Sequence, residues 1–233
     1  MSAAAGVVIF DLDGTLTDSA PGIFRTLRYA IERLNEARST KFSLPRDEDL
    51  RWVVGPPLRD SVAQIVGAPN VDLFMKYYLE RYGSIGLLEN SVYAGIIEAL
   101  TALSEIGCRL FVATSKNEID ARRIVAHFGL ARYFHEIYGA QVGGGRADKT
   151  ELLRYLLGRE RIAPDPNRVV MIGDRKFDCE GAGGVGIAMI GALWGYGDAE
   201  ELKNAGANLT IGAPAQIVAA VGQVFGQSAR RSA

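Results

Sequence analysis

Val7-Val8-Ile9-Phe10-Asp11-Leu12-Asp13-Gly14-Thr15-Leu16-Thr17 is the stretch on which the reading of the fold turns. Four successive apolar residues predict a strand buried on both faces, as in a parallel sheet covered by helices. The run then breaks into acid. Asp11 and Asp13 cannot sit unpaired in an apolar interior, because burying a lone carboxylate is costly, so something cationic has to meet them. Open α/β sheets bind their ligands at the carboxyl ends of parallel strands, and Gly14 permits the sharp turn that lets a ligand approach. A plain Asp-Gly turn is the simpler alternative, but a turn needs only one Asp.

The chain has 233 residues, 48% of them hydrophobic, enough for one large domain or a domain with a sizeable insertion. Lys+Arg 26 against Asp+Glu 27 leaves a net charge of -1, which gives no support to nucleic-acid or membrane-surface binding. An anionic substrate must therefore be met by local charge. Cys108 and Cys179 lack metal-ligand spacing and read as small buried residues suited to a reducing compartment. The segment before Val7 has no basic region, and Val7 to Phe10 is too short for a signal core or a membrane span, so a cytoplasmic protein is expected. Residues 227–233 read as a disordered tail.

After the acidic loop, Ser19 is placed to cap a helix with Pro21 in its first turn and Ile23, Leu27, Ala30, Ile31 and Leu34 at helical spacing. Helical periodicity resumes near Pro45, breaks over Val53 to Leu58, and returns over Arg59 to Val66 and Val71 to Tyr82. No strand pattern falls between Asp18 and Tyr93. Such a block, set between two strands of one sheet, reads as an inserted cap rather than a single-helix crossover. The expected domains are a core of residues 1–16 and 92–226 and a helical cap of residues 17–91, the core being a doubly wound parallel α/β sheet with the first strand central. Trp52, Trp194, Tyr77, Tyr78 and Tyr82 are read as packing residues, and His127 and His135 as packing or surface residues.

Three more strands are expected to end in polar chemistry. Cys108 to Lys116 is an apolar run ending in Thr114 and Ser115, with a helix from about Asn117; a hydroxyl and free amides at a helix N-terminus suit a phosphate. Lys116 reads equally well as a solvated charge. Phe134 to Ala140 leads through the glycines Gly143 to Gly145, read as a flexible turn, to Lys149. A lysine at a helix start opposes the helix dipole unless an anion compensates it. Arg168 to Ile172 ends in Gly173-Asp174-Arg175-Lys176-Phe177-Asp178, and carboxylate ligands completed by water and phosphate suit Mg2+. A fifth strand is expected over Val185 to Ile190 and an edge strand over Asn208 to Ile211, before a last helix over Pro214 to Phe225.

Asp11-Leu12-Asp13-Gly14-Thr15 resembles the nucleophile motif of the haloacid dehalogenase superfamily, most of whose members are Mg-dependent phosphatases. Thr114, Lys149 and the Gly173-Asp174 pair with Asp178 resemble its second, third and fourth motifs, in order. The resemblance implies that Asp11 attacks phosphorus, that Asp13 protonates the leaving group and later activates water, and that Thr114, the Ser115 amide and Lys149 hold the phosphate. It also implies Mg2+ at Asp11, Asp13 and Asp174, with Asp178 binding the metal or supporting its shell or the lysine. Many relatives follow this lysine with Pro, whereas Thr150-Glu151 stands here. Asp18-Ser19-Ala20-Pro21, Gly55 to Ser61, and the run from Leu193-Trp194-Gly195-Tyr196-Gly197 through the edge strand to the last helix resemble the phosphoglycolate phosphatase branch, which implies a small phosphorylated metabolite as substrate.

Asp13 argues against a dehalogenase, since displacement of halide needs no acid. The beta-phosphoglucomutase-like alternative would place a His at Ile23 and an Arg at Leu58; Arg59 is one position off. A phosphonatase would need a cap lysine that has no clear place here. A 5'-nucleotidase, a sugar-phosphate phosphatase and a non-catalytic phosphate-binding regulator are the remaining readings. Arg59 in the cap loop is the candidate to meet a second anionic group on the substrate.

Overall fold

The computed structural model describes residues 6–55, 58–141, 145–146 and 148–226. The expected disordered tail 227–233, Pro56 and Pro57 of the expected cap loop, and Gly143 and Gly144 of the expected glycine turn lie outside the described residues. Contacts divide the chain into two compact units, one built on the chain up to Thr17 and from Val92 onward, the other on Asp18–Ser91.

The chain enters through β1 (Gly6–Phe10), leaves through the two-residue strand β2 (Thr17–Asp18) and returns through β3 (Ser91–Val92), which pairs with β2. This short ribbon corrects the expectation that no strand residue lies between Asp18 and Tyr93; two residues carry too little alternation to show in a sequence. Between β2 and β3 lie α1 (Ala20–Arg38), α2 (Leu58–Val66) and α3 (Val71–Ser84), with 3-10 turns around them. Ser19 stands at the N-cap of α1, yet its side chain makes no capping bond; Asp18 Oδ1 accepts from the Ala20 amide at 3.2 Å instead. The apolar stripe from Ile23 to Leu34 is buried as its spacing predicts. On α3, Phe74, Tyr78 and Tyr82 are buried and stack in sequence, with ring centroids 6.4 and 5.2 Å apart. Trp52 departs from the packing reading: it is 41% exposed, because Leu50 and Val53 fill the inward side of its 3-10 turn.

The other unit continues with α4 (Ile96–Glu105), β4 (Cys108–Asn117), α5 (Glu118–His127), β5 (Glu136–Ala140), α6 (Lys149–Arg159) and β6 (Val169–Gly173). It closes with α7 (Lys176–Val185), β7 (Ala188–Ala192), α8 (Ala199–Asn204), β8 (Leu209–Ile211) and α9 (Ile217–Gly226). The expected fifth strand over Val185 to Ile190 begins later. Gly186 ends α7 in the left-handed conformation at φ 76°, so Val185 belongs to the helix and pairing starts at Ala188.

The sheet runs β5-β4-β1-β6-β7-β8, every neighbouring pair parallel. β1 is central, with Ile9 opposite Phe111 and Met171. On one face Val7 and Ile9 pack with Leu152, Leu156 and Cys179 from α6 and α7. Val8 and Phe10, of opposite parity, are wholly buried on the other face, and the Phe10 ring meets Phe134 edge-on at 6.1 Å. Each fully buried side chain of this size stabilises the sheet by about 2 kcal/mol. The chain builds outward from β1 to one side through β4 and β5, then to the other through β6, β7 and β8. That reversal opens a crevice at the carboxyl ends of β4, β1 and β6, where such sheets bind ligands.

Candidate active site

β1 delivers Asp11 into this crevice while still paired to its neighbour, the Asp11 amide donating to Ile172 O at 2.9 Å. From across the sheet comes Lys149, the first residue of α6 and only 5% exposed. Its ammonium donates to Asp11 Oδ1 and to Ala113 O, each at 2.9 Å, and forms an ion pair with Asp178 Oδ1 at 2.8 Å. Burial by itself would lower the pKa of this ammonium, but the Asp11 and Asp178 charges more than reverse it, and the lysine is held above its ordinary value. The unfavourable helix-start position is thus compensated by two carboxylates. Asp148 caps this helix start, its Oδ1 accepting from the Glu151 amide at 2.9 Å. Arg146 is engaged elsewhere, paired with Glu118 at 3.0 Å and lying over the Tyr155 ring.

β6 delivers Asp174, which has no exposed surface. Thr15 Oγ1 donates to its Oδ1 at 3.2 Å, and the Tyr196 amide to its Oδ2 at 2.8 Å. Two glycines make the room. A Cβ on Gly14, whose φ is +86°, would stand 2.2 Å from Asp174 Oδ2, and one on Gly195 would stand 2.3 Å from Asp174 Cβ. Trp194, partly buried, ties the same loops together through its indole N–H, which donates to Thr15 O at 3.0 Å. Asp178, in the first turn of α7, accepts the Arg175 amide on Oδ2 at 3.1 Å while its Oδ1 faces Lys149.

Oxygens of Asp11, Asp174 and Asp178 lie within 4.8 Å of one another. Burial first, then repulsion from Asp178 and Asp11, raises the Asp174 carboxyl well above the ordinary carboxylate range. Burial pushes Asp178 up to about 6, against the pull of Lys149 and with the push of Asp11. An all-oxygen set of carboxylates with one lysine among them fits a small divalent cation such as Mg2+. Asp174 fits it best, since its described contacts are a hydroxyl and an amide rather than a cation.

These raised values set a pH dependence. Each acid's contribution to stability is complete below its ordinary value of 3.8 and is lost as the pH rises through the raised one. The metal-free protein is therefore expected to lose thermal stability between roughly pH 4 and 7, and Mg2+ to raise its Tm far more at pH 8 than at pH 5. A Tm indifferent to Mg2+ at both pH values, read by differential scanning fluorimetry, would remove the cation from this cluster.

The remaining expected residues divide. Thr114 is 2% exposed at the crevice end of β4, whereas Ser115 is exposed. The helix after them starts where its spacing predicts, just past Asn117. β4 continues to Asn117, with a shift in its register against β5 between Thr114 and Asn117, and α5 begins at Glu118 with Asn117 Oδ1 capping the Ile119 amide at 3.0 Å. Asp13, expected among the metal ligands, is not one of the three clustered acids; its Oδ2 meets Lys116 Nζ at 2.8 Å. Arg59 lies exposed on α2 in an ion pair with Asp72 of α3. Lys116, Thr15 and the Tyr196 amide are the site residues that sequence reading missed. Thr15 closes the motif itself, but only its bond to Asp174 assigns it a task. Cys108 and Cys179 are free and buried, and both histidines are exposed.

The profile of haloacid dehalogenase-like hydrolases matches residues 8–192. A 5'-nucleotidase of Pseudomonas aeruginosa is 40% identical over 198 residues, covering 84% of this chain and 86% of the relative. A phosphoglycolate phosphatase of Agrobacterium fabrum is 32% identical, covering 82% of each chain. The crystal structure of a predicted phosphatase from Clostridium acetobutylicum superposes with a TM-score of 0.81 at 33% identity, covering 98% of this chain and 100% of that one.

Proposed function

The chain belongs to the haloacid dehalogenase-like hydrolases and is a phosphatase, and from that premise we propose that it hydrolyses a small phosphorylated metabolite by double displacement at Asp11. The observation that carries this reading is the buried contact of Lys149 with Asp11 at 2.9 Å, at the end of the central strand. An ammonium there neutralises the nucleophile and an arriving phosphate together. In the first step an Asp11 oxygen bonds to phosphorus as the ester P–O bond breaks, and Asp13 gives the leaving oxygen its proton. In the second, water attacks the same phosphorus, Asp13 takes its proton, and the Asp11–phosphorus bond breaks to release inorganic phosphate. Thr114 Oγ1 and the Ser115 amide hold phosphate oxygens in this scheme. Mg2+ on Asp11, Asp174 and Asp178 would neutralise phosphate charge that the lysine alone does not balance.

The phosphoglycolate phosphatase and 5'-nucleotidase relatives support a phosphoglycolate-like ester first and a nucleoside monophosphate second. We assign choice of leaving group to the helical unit Asp18–Ser91, in the manner of a cap. Arg59 would have to leave Asp72 to take part. Among the described residues no helix is long and apolar enough to cross a membrane. The test is a panel of phosphate monoesters with and without Mg2+: at least one should release phosphate only with the metal. Phosphate binding without any turnover would favour the non-catalytic reading.

A further inference from the structure

We propose that Lys116 is a positioning residue that fixes Asp13 for both proton transfers, holding one carboxylate oxygen so that the other serves the leaving group and then the attacking water. The proposal rests on the double-displacement reading above. Lys116 Nζ stands 2.8 Å from Asp13 Oδ2, and the two side chains are only 10% and 16% exposed. The other oxygen, Asp13 Oδ1, is buried and has no hydrogen-bond partner among the described residues. A buried carboxylate oxygen without a donor is rare and calls for an explanation, which the proton-transfer role of Asp13 supplies. The final torsion of an aspartate is broad and two-fold, so without a fixed donor its oxygens would exchange roles. A lysine on Oδ2 removes that freedom.

The backbone around Lys116 is built for the task. Its amide donates to Thr114 Oγ1 at 3.2 Å, tying the lysine to the proposed phosphate hydroxyl. The register shift between Thr114 and Asn117 brings this stretch close to β5, where a Cβ on Gly139 would stand 2.6 Å from Lys116 O. Gly139 therefore admits the irregular path that carries the lysine to Asp13. A pair this enclosed restricts geometry far more than an exposed surface pair does.

The test measures kcat and KM for wild type, Lys116→Met and Lys116→Arg with Mg2+ on three esters: p-nitrophenyl phosphate, a neutral alkyl phosphate and 2-phosphoglycolate. Poor leaving groups need the acid and activated ones need it little. Lys116→Met should lower kcat on both alkyl esters at least about tenfold more than on the aryl ester, with KM within about twofold, and Lys116→Arg should recover most of the loss. Equal losses on all three esters would make the pair merely structural and overturn the proposal. A rise in KM confined to 2-phosphoglycolate would make Lys116 a reader of the substrate's carboxylate and also overturn it, as would no loss at all. Absence of turnover by the wild type on every ester would instead overturn the parent reading, and this one with it.

Discussion

Replacing Asp11 with Asn should abolish both turnover and the phosphoryl-enzyme while leaving the fold in place. An amide is no nucleophile, so the step that makes the Asp11–phosphorus bond has no substitute. The expected fall in kcat is on the order of 10⁴-fold or more, as for other enzymes stripped of their nucleophile. The fold should tolerate the change because Lys149 keeps Asp178 Oδ1 at 2.8 Å and Ala113 O at 2.9 Å, so no buried ammonium is left unpaired. The cluster also loses one of the charges that raise Asp174 and Asp178. A Tm equal to or above that of the wild type is therefore expected without metal. Acid quenching after mixing with radiolabelled substrate should leave label on the wild type and none on the variant. Ordinary turnover by Asp11→Asn would show that the covalent mechanism is wrong.

Asp174→Asn should remove metal activation with nearly as large an effect. Asn is the cleaner variant because its carbonyl can still accept from Thr15 or the Tyr196 amide. Asp174→Ala would strand both donors at about 1–3 kcal/mol each and confuse stability with metal binding. Loss of one anionic oxygen from the clustered three should weaken Mg2+ binding and lower kcat/KM on the order of a hundredfold or more at fixed metal. Two readouts check it: isothermal titration with Mg2+ alone, and the Mg2+ concentration giving half-maximal activity. Full wild-type turnover in excess chelator, or an unchanged Mg2+ midpoint in the variant, would sink the assignment.

Much of this site is legible in the order of the residues alone. The apolar run Val7 to Phe10 predicts a strand covered on both faces, and acids at its end have to meet cations, because an apolar interior does not tolerate lone charge. Lys149 is legible for the complementary reason: a cation at a helix start is out of place unless an anion faces it, and two carboxylates do. Asp174 and Asp178 follow from a second apolar run ending in acid. What the sequence does not disclose depends on which strands lie side by side and how their ends bend. Lys116 is indistinguishable from a solvated lysine until the irregular end of β4 places it against Asp13, a contact between residues about a hundred positions apart. Asp178 by its position shows only a helix-start carboxylate; its contact with Lys149 is one of the roles that the family resemblance implies and that local patterning does not. Gly195 and the Tyr196 amide belong to a loop after β7 that touches Asp174 only because β7 is the neighbour of β6. Local patterning, which burial and charge impose residue by residue, determined the elements and the acids at their ends; long-range pairing, which exists only once the sheet has formed, decided what each charged group faces.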